Sequence, residues 1–252
     1  MFGNNPVRKY ESIEGGRRVR VQDIFSTIQG EGPFAGMPAI FIRLAGCNLR
    51  CLFCDTDFES RYYDEAQRVE DVVAQVRALE GPLPVPLIVI TGGEPFRQDI
   101  GLLLQELVML HSGDEQHIQI ETAGTLWPPS LDEMRWLPLG GDMREVPLSI
   151  VLSPKTPEVS PAVRVRTFAW KYIIAAGQTA DDDGLPIAST QNLARIRLAR
   201  PLVMFPRTSI YVQPMDVQPP SAQAANIKEA VRVARVYGYR LSLQQHKILE
   251  LP

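Results

Sequence analysis

Cysteine is scarce in these 252 residues: Cys47, Cys51 and Cys54 are all there is, with no fourth anywhere in the chain. An odd number confined to one short stretch excludes a disulfide framework, which uses even numbers spread along the sequence. Histidine is equally sparse, and His111, His117 and His246 all lie far from the cysteines. Net charge is only −3, so no global field draws the chain to nucleic acid or to an anionic lipid surface. Long apolar runs are missing as well. Runs such as Leu87–Ile90 and Ser149–Leu152 fall far short of the ~20 residues a membrane span needs. Met1 to Tyr10 holds no apolar stretch of the secretory kind. The expectation is a cytoplasmic protein without membrane or nucleic-acid partners, whose thiols stay reduced.

What is present is ordinary globular composition, 45% hydrophobic and 22% charged, in a chain long enough for one large domain. Residues 1–18 are polar and basic without a period and read as an N-terminal arm; 19–252 read as a single domain. Alternating apolar residues predict strands at Val19–Phe25 and Ala39–Leu44. Val69, Val72, Val73, Val76 and Leu79 fall on one face of a helix over 69–79, stopped by Gly81. Leu87–Ile90 reads as a buried strand ending in a Gly-Gly turn, followed by a helix over Gln98–His111 and a strand at His117–Glu121. Further strands are predicted at Leu148–Leu152, Ala169–Ile174, Ile210–Gln213 and Tyr239–Leu243, with a helix at Gln223–Tyr237. Strands alternating with helices indicate an α/β fold with a largely parallel sheet. Leu126–Val146 and Gly177–Arg207 resist assignment.

The informative segment is Gly46-Cys47-Asn48-Leu49-Arg50-Cys51-Leu52-Phe53-Cys54-Asp55-Thr56. Three thiolates on one short loop can ligate three irons of a [4Fe–4S] cube, and the missing fourth cysteine leaves one iron open to another ligand. A structural zinc site of Cys₃His type needs a nearby fourth ligand, and zinc ligands usually come as two close pairs rather than one triplet. A chance grouping of core cysteines is the remaining alternative.

Cys-x₃-Cys-x₂-Cys after a strand resembles the signature of the radical S-adenosylmethionine superfamily, and Gly92-Gly93-Glu94-Pro95 at the end of an apolar strand resembles its glycine-rich turn. The resemblance implies a single-domain partial (β/α) barrel. It also implies that the open iron chelates S-adenosylmethionine and that reductive cleavage yields a deoxyadenosyl radical. Within that superfamily the chain resembles the 7-carboxy-7-deazaguanine synthase family of the queuosine pathway. The segments that carry this are 25–32 (Phe-Ser-Thr-Ile-Gln-Gly-Glu-Gly), 41–47, 54–56, 91–95, 121–124, 153–155, 213–216 and 245–247. Leu126–Val146 and Gly177–Arg207 do not match.

The family resemblance implies a lyase that abstracts hydrogen from C6 of 6-carboxy-5,6,7,8-tetrahydropterin, contracts the ring, releases ammonia and regenerates S-adenosylmethionine. It implies a magnesium-dependent homodimer fed by an electron donor such as flavodoxin or ferredoxin. Carried over residue by residue, Cys47, Cys51 and Cys54 hold the cluster and Thr56 holds Mg²⁺. Phe53, Cys54, Asp55, Gly92, Gly93, Glu94, Ser153, Pro154, Lys155, Gln213, Pro214, Met215 and Asp216 contact S-adenosylmethionine. Ile28, Gln29, Gly30, Glu31, Arg43, Thr91, Glu121, His246 and Pro252 contact the pterin. A guanidinium such as Arg43 suits a planar carboxylate. Each residue also has a plainer reading: a surface arginine, a turn-forming threonine, loop punctuation in Ser-Pro-Lys. For the last residues, burial of Ile248, Leu249 and Leu251 is expected to tie the tail down and bring the Pro252 carboxylate to the site. The rivals are a glycyl-radical activating enzyme and a non-catalytic zinc or redox-sensing module.

Overall fold

The computed structural model describes residues 5–54, 56–58, 65–110, 116–132, 136–139, 142–145, 147–191 and 195–252. Eight strands, most of them alternating or continuous apolar runs, form one sheet: β1 (Val21–Ile28), β2 (Pro38–Leu44), β3 (Leu87–Gly92), β4 (His117–Thr122), β5 (Leu148–Leu152), β6 (Thr167–Ile174), β7 (Ile210–Pro214) and the short edge strand β8 (Arg240–Leu241). Their order across the sheet matches their order in the chain. β2 to β8 are parallel to their neighbours, and β1 is antiparallel to β2. Parallel neighbours need a crossover that returns the chain to the same end of the sheet. Helices α1 (Val69–Leu79), α2 (Gly101–Leu110), α3 (Pro161–Arg166) and α4 (Pro220–Tyr237) supply four of these crossovers.

The period of two gives the sheet two different faces. Ile40, Ile42, Leu44, Ile88, Ile90, Ile118, Ile120, Ile150, Leu152, Trp170, Tyr172 and Val212 face the helices and form the main core with Val72, Val76, Leu103, Leu104, Leu107 and Val233. Each of the larger aliphatic side chains there contributes about 1.5–3 kcal/mol through burial. The alternate positions, among them Phe41, Arg43, Thr91, Glu121, Lys171 and Gln213, line a cavity on the other face.

Several boundaries differ from the sequence expectation. α1 spans the residues expected, with Glu70 and Asp71 in the first turn, where they favour the helix dipole. α2 begins later than expected because Gln98 is extended and forms a β-bridge with Glu11; His111 lies outside the described residues. α4 begins three residues earlier, with Pro220 in its first turn, and ends at Gly238 in the left-handed conformation. α3, α5 (Gln245–Ile248) and a hairpin of 136–139 with 142–145 were not expected. Among the described residues no helix is long and apolar enough to cross a membrane.

The sheet remains open, and the loops leaving its two edge strands join across the gap. Gly32 N donates to Ser242 Oγ (3.0 Å) and Gln245 N donates to Gly30 O (3.1 Å), so the chain after β8 closes over the chain after β1. The result is a partial barrel whose interior is the cavity.

Candidate active site

The cavity has a volume of about 560 Å³ and collects residues from almost every strand. At its upper rim, the carboxyl ends of the parallel strands, the loop after β2 places Cys47, Cys51 and Cys54; none is in a disulfide. The Gly92-Gly93 turn packs directly beneath this loop. Gly92 has φ +138°, and a Cβ there would lie 2.1 Å from Leu44 O; one on Gly93 would lie 2.1 Å from Gly46 O. Glycine is required at both positions for the two backbones to come this close.

The donor set fits an iron–sulfur cluster. Three sulfur ligands face one cavity, and N–H groups point at each sulfur: Leu49 N at Cys47 (3.4 Å), Gln191 Nε2 at Cys51 (3.1 Å) and Asn5 Nδ2 at Cys54 (3.3 Å). Burial, with Glu94 adding to it, pushes the Cys47 thiol up to about 12. Such a thiol deprotonates at neutral pH only with a metal on its sulfur. Lys155, half-buried, donates to Ser153 Oγ (2.6 Å) and Ser153 O (3.0 Å); desolvation lowers its pKa and the nearby Cys51 partly restores it.

Glu94 stands behind this wall rather than in it. Its carboxylate accepts from Thr122 Oγ1 (2.6 Å), Ala123 N (2.8 Å) and Phe96 N (3.0 Å), tying the glycine turn to the end of β4. Burial raises its pKa despite these bonds. Gly30 and Pro154 also do not line the cavity, and Asp55 lies outside the described residues. Gly30 acts through contact: a Cβ there would sit 2.3 Å from His246 Nδ1, so its bareness is what admits α5.

The other expected residues do meet around the cavity: Ile28, Gln29, Glu31, Arg43, Phe53, Thr56, Thr91, Gly92, Gly93, Glu121, Ser153, Lys155, Gln213, Pro214, Met215, Asp216, His246 and Pro252. Inside the barrel, Lys171 Nζ contacts Glu31 and lies 3.5 Å from Glu121 Oε1. Gln29 Nε2 (3.3 Å) and Gln119 Nε2 (2.8 Å) converge on the same Glu121 oxygen, and Gln244 Nε2 holds Glu31 Oε1 at 2.8 Å. Burial works against the Glu31 charge, but Lys171 outweighs it and the carboxyl falls to about 2. The Lys171 ammonium is likewise opposed by burial and raised by Glu121 and Glu31. On the adjoining wall Phe25 and Phe41 stack at 5.4 Å, and Arg43 Nη1 donates to Thr56 Oγ1 (3.1 Å).

Five residues that bond to the site's functional side chains were not read from the sequence: Asn5, Gln119, Lys171, Gln191 and Gln244. Lys171 did carry a signal, a lone cation within an apolar strand, since a buried lysine needs a paired anion. The tail reaches the cavity, but with little of the burial expected of it: Ile248 and Leu249 are exposed, and only Leu251 is half-buried. Hydrogen bonds hold it instead, Leu251 N to His246 O (2.9 Å) and Thr27 Oγ1 to Pro252 O (3.2 Å).

Comparison with known proteins places this architecture. Residues 41–190 match the family model described as the radical SAM superfamily. The 7-carboxy-7-deazaguanine synthase of Rhodospirillum rubrum is 42% identical over 257 residues, covering 100% of both chains. That of Rickettsia prowazekii is 36% identical, covering 99% of this chain and 95% of its own. The crystal structure of QueE from Escherichia coli superposes with a TM-score of 0.58 at 22% identity, over 92% of this chain and 96% of that one, and so shares the fold.

Proposed function

Because the chain belongs to the radical S-adenosylmethionine superfamily and, within it, to the 7-carboxy-7-deazaguanine synthases, we propose that its cavity converts 6-carboxy-5,6,7,8-tetrahydropterin to 7-carboxy-7-deazaguanine with loss of ammonia. It is a radical S-adenosylmethionine lyase of 7-deazapurine biosynthesis. The observation that carries the substrate assignment is the pair Glu31 and Glu121, set around Lys171 in the cavity that the three thiols also line. Ionised carboxylates only accept hydrogen bonds, which suits the amino and ring N–H groups along a pterin's pyrimidine edge.

Cys47, Cys51 and Cys54 hold the cluster, and Ser153, Lys155, Gly92, Gly93, Phe53 and Gln213 to Asp216 form the walls for S-adenosylmethionine. When bound, the cluster and S-adenosylmethionine supply the radical chemistry that removes hydrogen from carbon. The protein's own share is placement. Gln29, Glu31, Glu121 and His246 fix the pyrimidine edge, while Ile28, Thr91 and Pro252 bound the ring. Arg43 takes the substrate carboxylate by a charge-assisted bond. Thr56, a single neutral oxygen beside Arg43, holds Mg²⁺ only with substrate and water oxygens completing the shell, since magnesium demands six. The reading extends to a cytoplasmic homodimer reduced by flavodoxin or ferredoxin, with 19–252 as one domain and 1–18 as its arm.

The test is anaerobic turnover of reconstituted enzyme with S-adenosylmethionine, Mg²⁺, reductant and the pterin, followed by mass spectrometry. The reading expects 7-carboxy-7-deazaguanine from the wild type and none from Cys51→Ala. Unchanged pterin in the presence of an intact cluster would overturn it.

A further inference from the structure

Two side-chain amides from well-separated parts of the chain, Asn5 and Gln191, grip the cysteine loop in the same way. Asn5 is 4% exposed; its Oδ1 accepts from Phe58 N (2.9 Å), while its Nδ2 donates to Cys54 Sγ (3.3 Å) and Thr56 O (2.8 Å). Gln191 Oε1 accepts from Arg50 N (2.8 Å), while its Nε2 donates to Cys51 Sγ (3.1 Å) and Thr190 Oγ1 (2.9 Å). In each case a backbone N–H, of Phe58 just past the cysteine segment or of Arg50 within it, fixes the amide oxygen, which leaves the NH₂ end facing a sulfur. Neither orientation can reverse without setting N–H against N–H.

Both residues are themselves anchored. The main-chain oxygen of Asn5 accepts from Arg50 Nε (3.2 Å), and Arg8 N donates to Cys47 O (2.7 Å). Farther along the same segment, Glu11 pairs with the buried Arg97, which also donates to Lys9 O (3.0 Å). On the other side Leu52 N donates to Thr190 O (3.2 Å). The segments around Asn5 and Gln191 thus clamp the loop from two sides.

We propose that Asn5 and Gln191 are positioning residues that set the reduction potential of the cluster through N–H bonds to two of its three thiolates. The inference rests on the reading of Cys47, Cys51 and Cys54 as cluster ligands. Hydrogen bonds to cluster sulfurs are among the levers that fix such potentials, because they draw charge from the thiolate and favour the more negative, reduced state. Partners of this kind, one shell out from the metal, also orient the ligands themselves. Removing a donor leaves the cluster harder to reduce.

The experiment compares reconstituted wild type with Gln191→Met, Gln191→Glu and Asn5→Asp, measuring iron and sulfide content and the potential by EPR-monitored titration. Asp and Glu keep the oxygen that the loop N–H needs and lose the donor; Met loses it without adding charge. About four iron and four sulfide in the wild type is the condition of the cluster reading, and its failure there would overturn that reading rather than this one. With the cluster present, each variant is expected to show a lower potential, the reduced-to-oxidised ratio at fixed poise falling about tenfold, or 59 mV for one electron. Gln191→Glu should fall below Gln191→Met. A wild-type potential in Gln191→Met and Asn5→Asp at full iron content overturns the proposal. If Asn5→Asp takes up no iron, Asn5→Leu, of similar shape with neither donor nor charge, decides: a lowered potential at full iron content supports the donor role, and a wild-type potential or failed uptake assigns Asn5 to packing and overturns its part.

Discussion

Lys171 stands between Glu31 and Glu121, in contact with the first and 3.5 Å from the second, so that one buried cation serves two carboxylates. The trio carries a net negative charge into a largely desolvated cavity, and this governs both its stability and its use.

Acid should reveal the Glu31 contribution. Its carboxyl is lowered from 4.5 to about 2, so the stability it confers is present above the unfolded value and is lost as pH falls through the folded one. Between pH 5 and pH 3 the unfolding free energy of the wild type should drop by roughly 2 kcal/mol more than that of Glu31→Gln. Cluster loss in acid affects both proteins alike and cancels. Parallel stability curves for the two would show that Glu31 gains nothing from its partner.

Removing the cation should cost more than removing either anion. Lys171→Met leaves two half-buried carboxylates facing each other without their buried cation, and about 3–5 kcal/mol, the cost of breaking a fully buried pair, is the upper bound of the loss. Urea unfolding should therefore place Lys171→Met well below Glu121→Gln. Equal midpoints at equal slopes would mean that water already compensates the charges.

Gly30 should govern substrate affinity without touching the cluster. A methyl group at Gly30 overlaps His246 Nδ1, at 2.3 Å, and presses on its backbone N at 2.8 Å, so α5 must shift outward with His246 and Pro252. Gly30→Ala, like deletion of Leu251 and Pro252, should raise KM for the pterin by about tenfold or more. Iron content should stay at the wild-type level. Unaltered kinetics in both would place this segment outside the binding site.

Magnesium should act at the substrate. Thr56 Oγ1 already accepts from Arg43, and a neutral hydroxyl alone binds the ion weakly. Thr56→Ala should raise the Mg²⁺ concentration needed for half-maximal turnover while reductive cleavage of S-adenosylmethionine remains detectable. The same Mg²⁺ dependence in variant and wild type would remove Thr56 from the ion's shell.

Local pattern made much of this legible. Val69, Val72 and Val76 define α1 by spacing alone, and the apolar run at 87–90 marks β3 because a parallel strand is buried on both faces. The cysteine triplet and the Gly-Gly turn name their chemistry through ligand count and backbone need. What escaped was set by contacts distant in sequence. Asn5 sits in a polar stretch with no period, and only its approach to Cys54 gives it a role. Gln191 lies 140 positions from Cys51, in a stretch that no motif covered. Glu94 reads as a cofactor contact by motif, yet its carboxylate is spent on Thr122, Ala123 and Phe96. At the tail, apolar side chains suggested burial, but backbone hydrogen bonds do the holding.

The most direct test of the central claim tracks one hydrogen. Enzyme turned over anaerobically with pterin carrying deuterium at C6 should give 7-carboxy-7-deazaguanine, and the S-adenosylmethionine recovered afterwards should contain deuterium. Cys51→Ala should give neither. Product formed without deuterium in the recovered S-adenosylmethionine, or labelled pterin returned intact by enzyme holding a full cluster, would contradict the account.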